Sequence, residues 1–303
     1  FQKLTLELEV LSNEGFFIMM ENNVRFAHDK VREAIYSLMS YEEKIQTHHL
    51  IGNWWLKNTP QRILDENIFQ IIAQLNLGKS LLRTLKERLT LIYLNLRAGK
   101  KAKISTAYEG ALNFLQEAVM LLPIDKWESH YLLTLEIYKE FVECEFLATH
   151  FEAADILFEY IFQNTKTLED KIPIYHIQLR QKAGEGKGEE AFAIGFQVLN
   201  ELGLKMPDYN DHAEIRDAFI KQLGEYEQLR GQKSIPELIH LPEMKDPNII
   251  EAISLITNLG DIAISLKPEM LGLLSIMGVN LSFKYGNTSV SPISYVMWGV
   301  ITN

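Results

Sequence analysis

The sequence predicts a mainly α chain with one short β-hairpin near its start and a run of paired helices after it, and three observations carry that prediction. Apolar residues recur at i, i+3, i+4 and i+7 over most of the 303 residues, the spacing of one helix face. Strand-like runs are confined to residues 16–20 and 24–26. From about residue 81 to 207, long amphipathic segments alternate with short polar turns, the layout of an α-solenoid.

The elements follow in order. Leu4, Leu8 and Leu11 share a helix face that stops at residues 13–15, where Gly15 suits a C-terminal cap. In FFIMMENNVRF, two apolar runs flank Glu-Asn-Asn, and asparagine tolerates the left-handed backbone that a tight hairpin needs. From Asp29 the helical period returns, with Val31, Ala34, Ile35 and Leu38 on one face. Beyond SYEEK, residues 48–56 read as helix, LKNTPQ as a loop and residues 66–75 as a further helix. Later turns are expected at AGKK, PIDKWES, NTKTLEDKIP and AGEGKGEE.

Internal repetition is the next signal. Gly99, Ala111, Leu115, Ala118 and Pro123 match the spacing of the small, small, bulky, small and proline positions of the tetratricopeptide pattern. Small residues let the second helix of a pair approach the first closely, and proline ends the pair. Phe151, Ala154, Phe158 and Ile161 repeat that spacing, as do Ala191, Gly195 and Val198. Their first small positions lie 43 (154 − 111) and 37 (191 − 154) residues apart, longer than the standard period of about 34. The repeats are therefore degenerate, and an irregular helical domain in which alanine serves only as a good helix former is the alternative.

After Pro207 come a polar loop, a helix over 213–229, a proline-containing linker GQKSIPELIHLPEMKDP, and three apolar helices over 248–266, 269–285 and 291 to the end. The expected division is 1–60, a small hairpin-containing module; 61–207, tetratricopeptide-like helical repeats; and 208–303, a truncated C-terminal extension of the solenoid. A start at Phe1 without methionine and an end inside an apolar pattern suggest a piece of a longer protein.

Composition narrows the function. With 47% hydrophobic and 23% charged residues, the chain is ordinary globular material. A net charge of −10 argues against nucleic acid as partner. Cys144 is the single cysteine, so there is no disulfide framework and no cysteine zinc site, and a reducing, cytoplasmic setting fits. The apolar stretch 270–283 falls short of the roughly 20 residues that cross a bilayer, so it reads as a buried helix and no membrane span is expected. No H-E-x-x-H, G-x-S-x-G or G-x-x-x-x-G-K-[ST] motif occurs; NLRAGKK and KAGEGKGEE lack the P-loop spacing. His48 and His49 diverge by about 100° on a helix and suit a junction better than a metal. Glu42-Glu43 and Glu189-Glu190 suit helix starts. Catalytic and metal-binding residues are thus expected to be absent. The aromatic stripe of Tyr131, Tyr138, Phe141, Phe146, Phe151, Phe158, Tyr160 and Phe162 reads as core between repeats, with a few rings available to line a peptide groove.

RFAHDKVREAIYSLM, placed after the hairpin, resembles the winged-helix module that closes the nucleotide-binding region of STAND-type signalling ATPases, relatives of the AAA+ class. AFAIGFQVLNELGLKMP and NLSFKYGNTSVSPISYVMWG resemble the helical region of very large bacterial proteins that string together a Ser/Thr-kinase-like domain, a STAND ATPase, helical repeats, a GAF domain and a histidine kinase. The resemblance implies that His28-Asp29 match the family's His-Asp pair, whose histidine approaches the β-phosphate of ADP in the closed state. Asp29 would fix the local turn or cap the helix that follows. The residues alone leave a second reading of His28, packing at the hairpin–helix junction against a backbone carbonyl.

Together these readings describe a non-catalytic regulatory and interaction fragment of a signal-transduction ATPase or kinase. ATP or ADP would be bound only by the parent protein, and the partners would be a protein, a peptide or neighbouring domains of the same chain. The alternative is a free-standing helical-repeat adaptor. DNA recognition is disfavoured because Lys30, Arg32 and Lys44 are balanced by Glu33, Glu42 and Glu43.

Overall fold

A computed structural model of the chain describes residues 2–20, 24–231 and 235–302. Among the described residues, fifteen α-helices and one two-stranded antiparallel sheet make the fold mainly α, a small β-hairpin followed by helical pairs in solenoid arrangement. The chain divides into two compact units, Phe1–Ile124 and Asp125–Asn303.

The first unit holds α1 (Gln2–Asn13), β1 (Phe17–Met19), β2 (Val24–Phe26), α2 (Asp29–Leu38), α3 (Tyr41–Asn58), α4 (Gln61–Leu77), α5 (Leu85–Ile104) and α6 (Tyr108–Leu121). Gly15, at φ +83°, ends α1 where the sequence predicts, and the Phe16 N–H reaches back to the Leu11 carbonyl. β1 and β2 pair Phe17 with Phe26 and Met19 with Val24, and the Phe17 and Phe26 rings lie 4.8 Å apart. The Glu-Asn-Asn turn lies outside the described residues.

The helix expected over 48–56 is longer at both ends. Ser40 and Glu43 form a reciprocal capping box, so α3 starts at Tyr41 and takes in SYEEK, well before residue 48. It continues through the first half of LKNTPQ, α4 begins at Gln61, and the break is only Thr59-Pro60, with Thr59 held extended ahead of the proline. The unit's core forms where Ile68, Ile71, Ile72 and Leu75 of α4 meet Leu91, Leu94 and Ala98 of α5. Across it, Asn76 and Asn95 exchange two side-chain hydrogen bonds of 2.9 Å, which satisfies the fully buried Asn95 amide.

AGKK lies inside α5 and is no turn. A Cβ at Gly99 would sit 2.7 Å from Leu115 Cγ of α6, so the glycine is there to let the two helices touch. Ala111, Leu115 and Ala118 are fully buried in α6.

The second unit holds α7 (Lys126–Ser129), α8 (Tyr131–Leu147), α9 (Phe151–Asn164), α10 (Leu168–Gly184), α11 (Gly188–Glu201), α12 (His212–Arg230), α13 (Pro247–Leu266), α14 (Pro268–Tyr285) and α15 (Ser291–Thr302). PIDKWES therefore contains a short helix, and most of NTKTLEDKIP belongs to α10. The pair α8/α9 packs on α10, α10 and α11 pack on α13, and α14 is enclosed by α12, α13 and α15. Its core includes Phe192, Val198, Ile253, Leu259, Leu273 and Met277. Cys144 is buried, as its helical setting predicts.

The repeat signal has a backbone counterpart. Thr106, Thr149 and Gly186 all adopt positive φ (58°, 65° and 76°) at the turns after α5, α8 and α10. Each is followed by a residue whose N–H returns to the carbonyl five positions back: Ala107 to Ala102, His150 to Glu145, Lys187 to Lys182. These turns are spaced by 43 (149 − 106) and 37 (186 − 149) residues, the same steps as the small positions Ala111, Ala154 and Ala191. In the third pair the close approach has a different use. A Cβ at Gly195 would lie 2.7 Å from Leu259 of α13, so this glycine serves packing onto the next helix rather than onto α10.

Among the described residues α13 is the one helix long and apolar enough to cross a bilayer by length and composition, in place of the stretch 270–283 considered from the sequence. Its Ile253, Ile256, Leu259 and Ala263 are buried in the unit's core, and it carries Glu251 and Asp261. We read it as a core helix.

Candidate functional site

The residues singled out by the sequence sit where the hairpin hands over to α2. The Ala27 N–H donates to the Phe16 carbonyl at 2.9 Å, closing the hairpin and setting the direction of the next residue. His28 is extended (φ −142°, ψ 146°) and is itself the N-cap of α2; its carbonyl accepts from the Val31 N–H at 3.0 Å, and its side chain makes no capping bond. Asp29 is the first helical residue rather than the cap expected for it. Its carboxylate pairs with Arg32 at 3.3 Å and favours the positive end of the helix. Both side chains are exposed, so His28 is not packed into the junction.

One exposed imidazole beside a carboxylate can donate a single hydrogen bond to a phosphate held by another domain, while the Asp29 charge opposes anion capture. The chain has no P-loop around it. These residues therefore do not fit a nucleotide site of their own.

A histidine of another kind joins α2 to the helices after it. His48 of α3 lies 2.9 Å from the Tyr36 hydroxyl of α2 and 2.7 Å from Gln74 Oε1 of α4. Since Gln74 offers an oxygen, Nδ1 carries the proton and Nε2 accepts from the tyrosine. Lys44 lies over the Tyr36 ring at 4.7 Å. His48 thus takes the junction role its position suggests. Among the described residues no group of His, Cys, Asp and Glu is arranged to hold a metal.

Two polar clusters stand out in the second unit. Lys182 of α10 is buried, with its ammonium 2.8 and 2.9 Å from the Asp155 carboxylate of α9 and 3.6 Å from Glu185. The Gln181 NH₂ donates to Asp155 and Glu185, with the Phe151 carbonyl 3.2 Å from the same nitrogen, and Lys187 pairs with Glu185. This network ties α9 to α10 and the turn that follows. Its sequence signature is nil, because a buried lysine looks like any surface lysine until its partner 27 positions away is known.

The second cluster surrounds the Tyr160 hydroxyl, which accepts from the Trp127 indole N–H at 3.0 Å. The Trp127, Tyr138 and Tyr160 rings lie within 5.0–6.1 Å of one another, with Lys126 over two of them. Burial alone would raise the Tyr160 phenol. The Trp127 N–H, the Tyr138 hydroxyl and the Lys126 ammonium together outweigh burial and hold it below the ordinary tyrosine value. Tyr138 moves the other way, pushed up by burial and by its bond to Tyr160. Tyr131, Tyr175 and Tyr295 are also raised, chiefly by burial.

A pH dependence follows. A group raised on folding contributes stability that is present below its unfolded value, about 10 for tyrosine, and lost above it; the lowered Tyr160 has the opposite sign. Four raised phenols against one lowered predict that the thermal midpoint falls as pH rises through about 10 and beyond. Tyrosinate absorbance should show an early phase that Tyr160→Phe removes, ahead of a later phase that coincides with unfolding.

No family model matches the chain, and no solved structure matches it. The chain is 30% identical over 203 residues to the hybrid signal transduction histidine kinase G of Dictyostelium discoideum; the match covers 59% of the chain and 6% of that protein. The chain therefore spans a small fraction of the length of this relative. The similarity links it to a signal-transduction protein.

Proposed function

We propose that the chain is a non-catalytic regulatory and protein-interaction module of a signal-transduction protein, in which a helical solenoid senses a partner and biases a nucleotide-dependent switch located outside these residues. The observation that carries the reading is the uncovered apolar surface of the first module. No residue of α2 is buried, Leu38 is 84% exposed, and Ile35, Phe16, Ile18, Met20 and Val24 are exposed with it. Exposed apolar side chains clustered in this way support the reading of a docking face. The similarity to a hybrid histidine kinase supports a role in signalling.

The finer assignments belong to the same proposal: a winged-helix-like module over 1–60, tetratricopeptide-like repeats over 61–207 and a solenoid extension over 208–303, in a cytoplasmic protein whose partners are proteins or its own neighbouring domains. His28 would contribute one hydrogen bond to an ADP phosphate held by an attached ATPase domain, favouring a closed resting state. A second reading, a free-standing adaptor, is favoured by α15, where Ile293, Val296 and Val300 leave a second apolar stripe exposed.

The test uses Ile35→Glu with Leu38→Glu. Both positions are exposed, so the fold and thermal midpoint should hold within about 0.5 kcal/mol. Association of this chain with the rest of a longer protein that carries it, produced separately and titrated by calorimetry, should weaken at least roughly tenfold. Unchanged affinity would overturn the docking face.

A further inference from the structure

A groove lies between α12, α14 and the loop that leads into α12. It encloses about 330 Å³, enough for one ligand group of moderate size. Its floor is apolar: Met206, Leu273 and Met277 are buried, and the two methionines are flexible and polarizable, suited to adapting to an incoming side chain. Its rim carries both signs of charge: Glu214, whose carboxylate accepts the Asp208 N–H, and Asp217, paired with Arg216, toward the start of α12, then Lys221 one turn further along, and Lys205 on the loop before the helix. Along α12 the lining positions 214, 217, 218, 221 and 222 are a single helix face.

One polar contact ties α14 to α12 beside this groove. Asn280 is 1% exposed on α14, in a helix otherwise packed with Leu, Ile, Val and Met. Its amide donates to the Gln222 carbonyl at 2.9 Å and to Gln222 Oε1 at 2.8 Å, while its own Oδ1 is buried without a hydrogen-bond partner. An unpaired buried oxygen costs stability, and a leucine at this position would avoid that cost. What the asparagine does is hold the Gln222 oxygen, which leaves the NH₂ of this groove-lining residue uncommitted to that bond.

We infer that this groove is a docking site for a short peptide segment that presents one apolar side chain to the methionine floor, an acidic residue to Lys205 and Lys221, and a basic residue to Glu214 and Asp217. Gln222 donates to a backbone carbonyl of that segment. The inference rests on the proposed interaction role and names a partner chemistry for it, at a surface separate from the α2 face.

Fluorescence polarisation with two labelled, end-blocked peptides tests it: Gly-Asp-Ser-Met-Ser-Lys-Gly and its charge-reversed partner Gly-Lys-Ser-Met-Ser-Asp-Gly. The chain should prefer one order by roughly five- to tenfold. Replacing the peptide methionine by serine should abolish binding. Asp217→Lys combined with Lys221→Asp, an exchange of two exposed side chains that leaves Glu214 and Lys205 in place, should remove the preference between the orders, and Gln222→Ala should weaken both orders alike. Equal binding of the two orders, a preference that survives the exchange, or no binding of either peptide at millimolar concentration overturns the inference. Leu38→Glu serves as the separating control. If it still breaks association while neither peptide binds, the groove assignment falls and the docking face on α2 stands.

Discussion

Phe192→Ala is expected to lower the stability of the second unit by about 3–5 kcal/mol, the largest effect of any single truncation considered. Phe192 is fully buried in the core that joins α11 to α13 and α14. Its ring meets Phe196 edge-on at 5.7 Å and lies 5.8 Å from Tyr209, contacts that an alanine leaves facing a void. Domains of this size are stable by about 5–15 kcal/mol, so the loss leaves the unit marginal. Urea unfolding should show a lower midpoint with an unchanged slope, and Phe192→Leu should cost less than half as much.

Gly99→Val should destabilise the first unit by about 1–3 kcal/mol. Two effects oppose each other: removing glycine from a helix interior gains up to about 1 kcal/mol in propensity, and overpacking a filled core costs about 1–3 kcal/mol. Overpacking wins here because the nearest atoms, 2.7 and 2.9 Å from the added Cβ, belong to Leu115, which is fully buried and has nowhere to move. The branched side chain adds to the clash. Gly224 provides the control, since no atom lies within 4 Å of a Cβ there and it is exposed in the middle of α12. Gly224→Ala should stabilise by up to about 1 kcal/mol. Equal effects at the two glycines would contradict the close-approach reading of Gly99.

Gly99 also shows what the sequence can and cannot disclose. Followed by two lysines, it reads as a turn, yet its spacing to Ala111, Leu115 and Ala118 marks it as a packing position, and the second reading is the correct one. The helices near 248–266, 269–285 and 291 onward emerge close to their observed bounds because proline and glycine punctuate long apolar runs. Glu42-Glu43 mark the start of α3 as their charge suggests, and the reciprocal bonds of Ser40 and Glu43 fix it. The Tyr36–His48–Gln74 link and the Lys182–Asp155 pair were not legible. Each joins residues on different helices, and no local pattern records which helix faces will meet. Asn280 falls in the same group: a lone asparagine in an apolar run reveals burial but not that Gln222 is its partner.

For His28 the sequence supplied the position and a family resemblance, and the structure adds exposure and a backbone geometry that leaves the imidazole uncommitted to capping. That arrangement suits a contact to a group on another domain. The direct measurement is ADP release from a longer protein in which an ATPase domain precedes this sequence, followed by stopped-flow with a fluorescent ADP analogue. The account predicts that His28→Ala speeds release roughly tenfold or more, the worth of one hydrogen bond to a charged phosphate. The release rate of Asp29→Asn, which removes the opposing charge, should be equal or slower. An unchanged rate for His28→Ala, with the protein folded and loaded, would contradict the coupling of this module to a nucleotide switch.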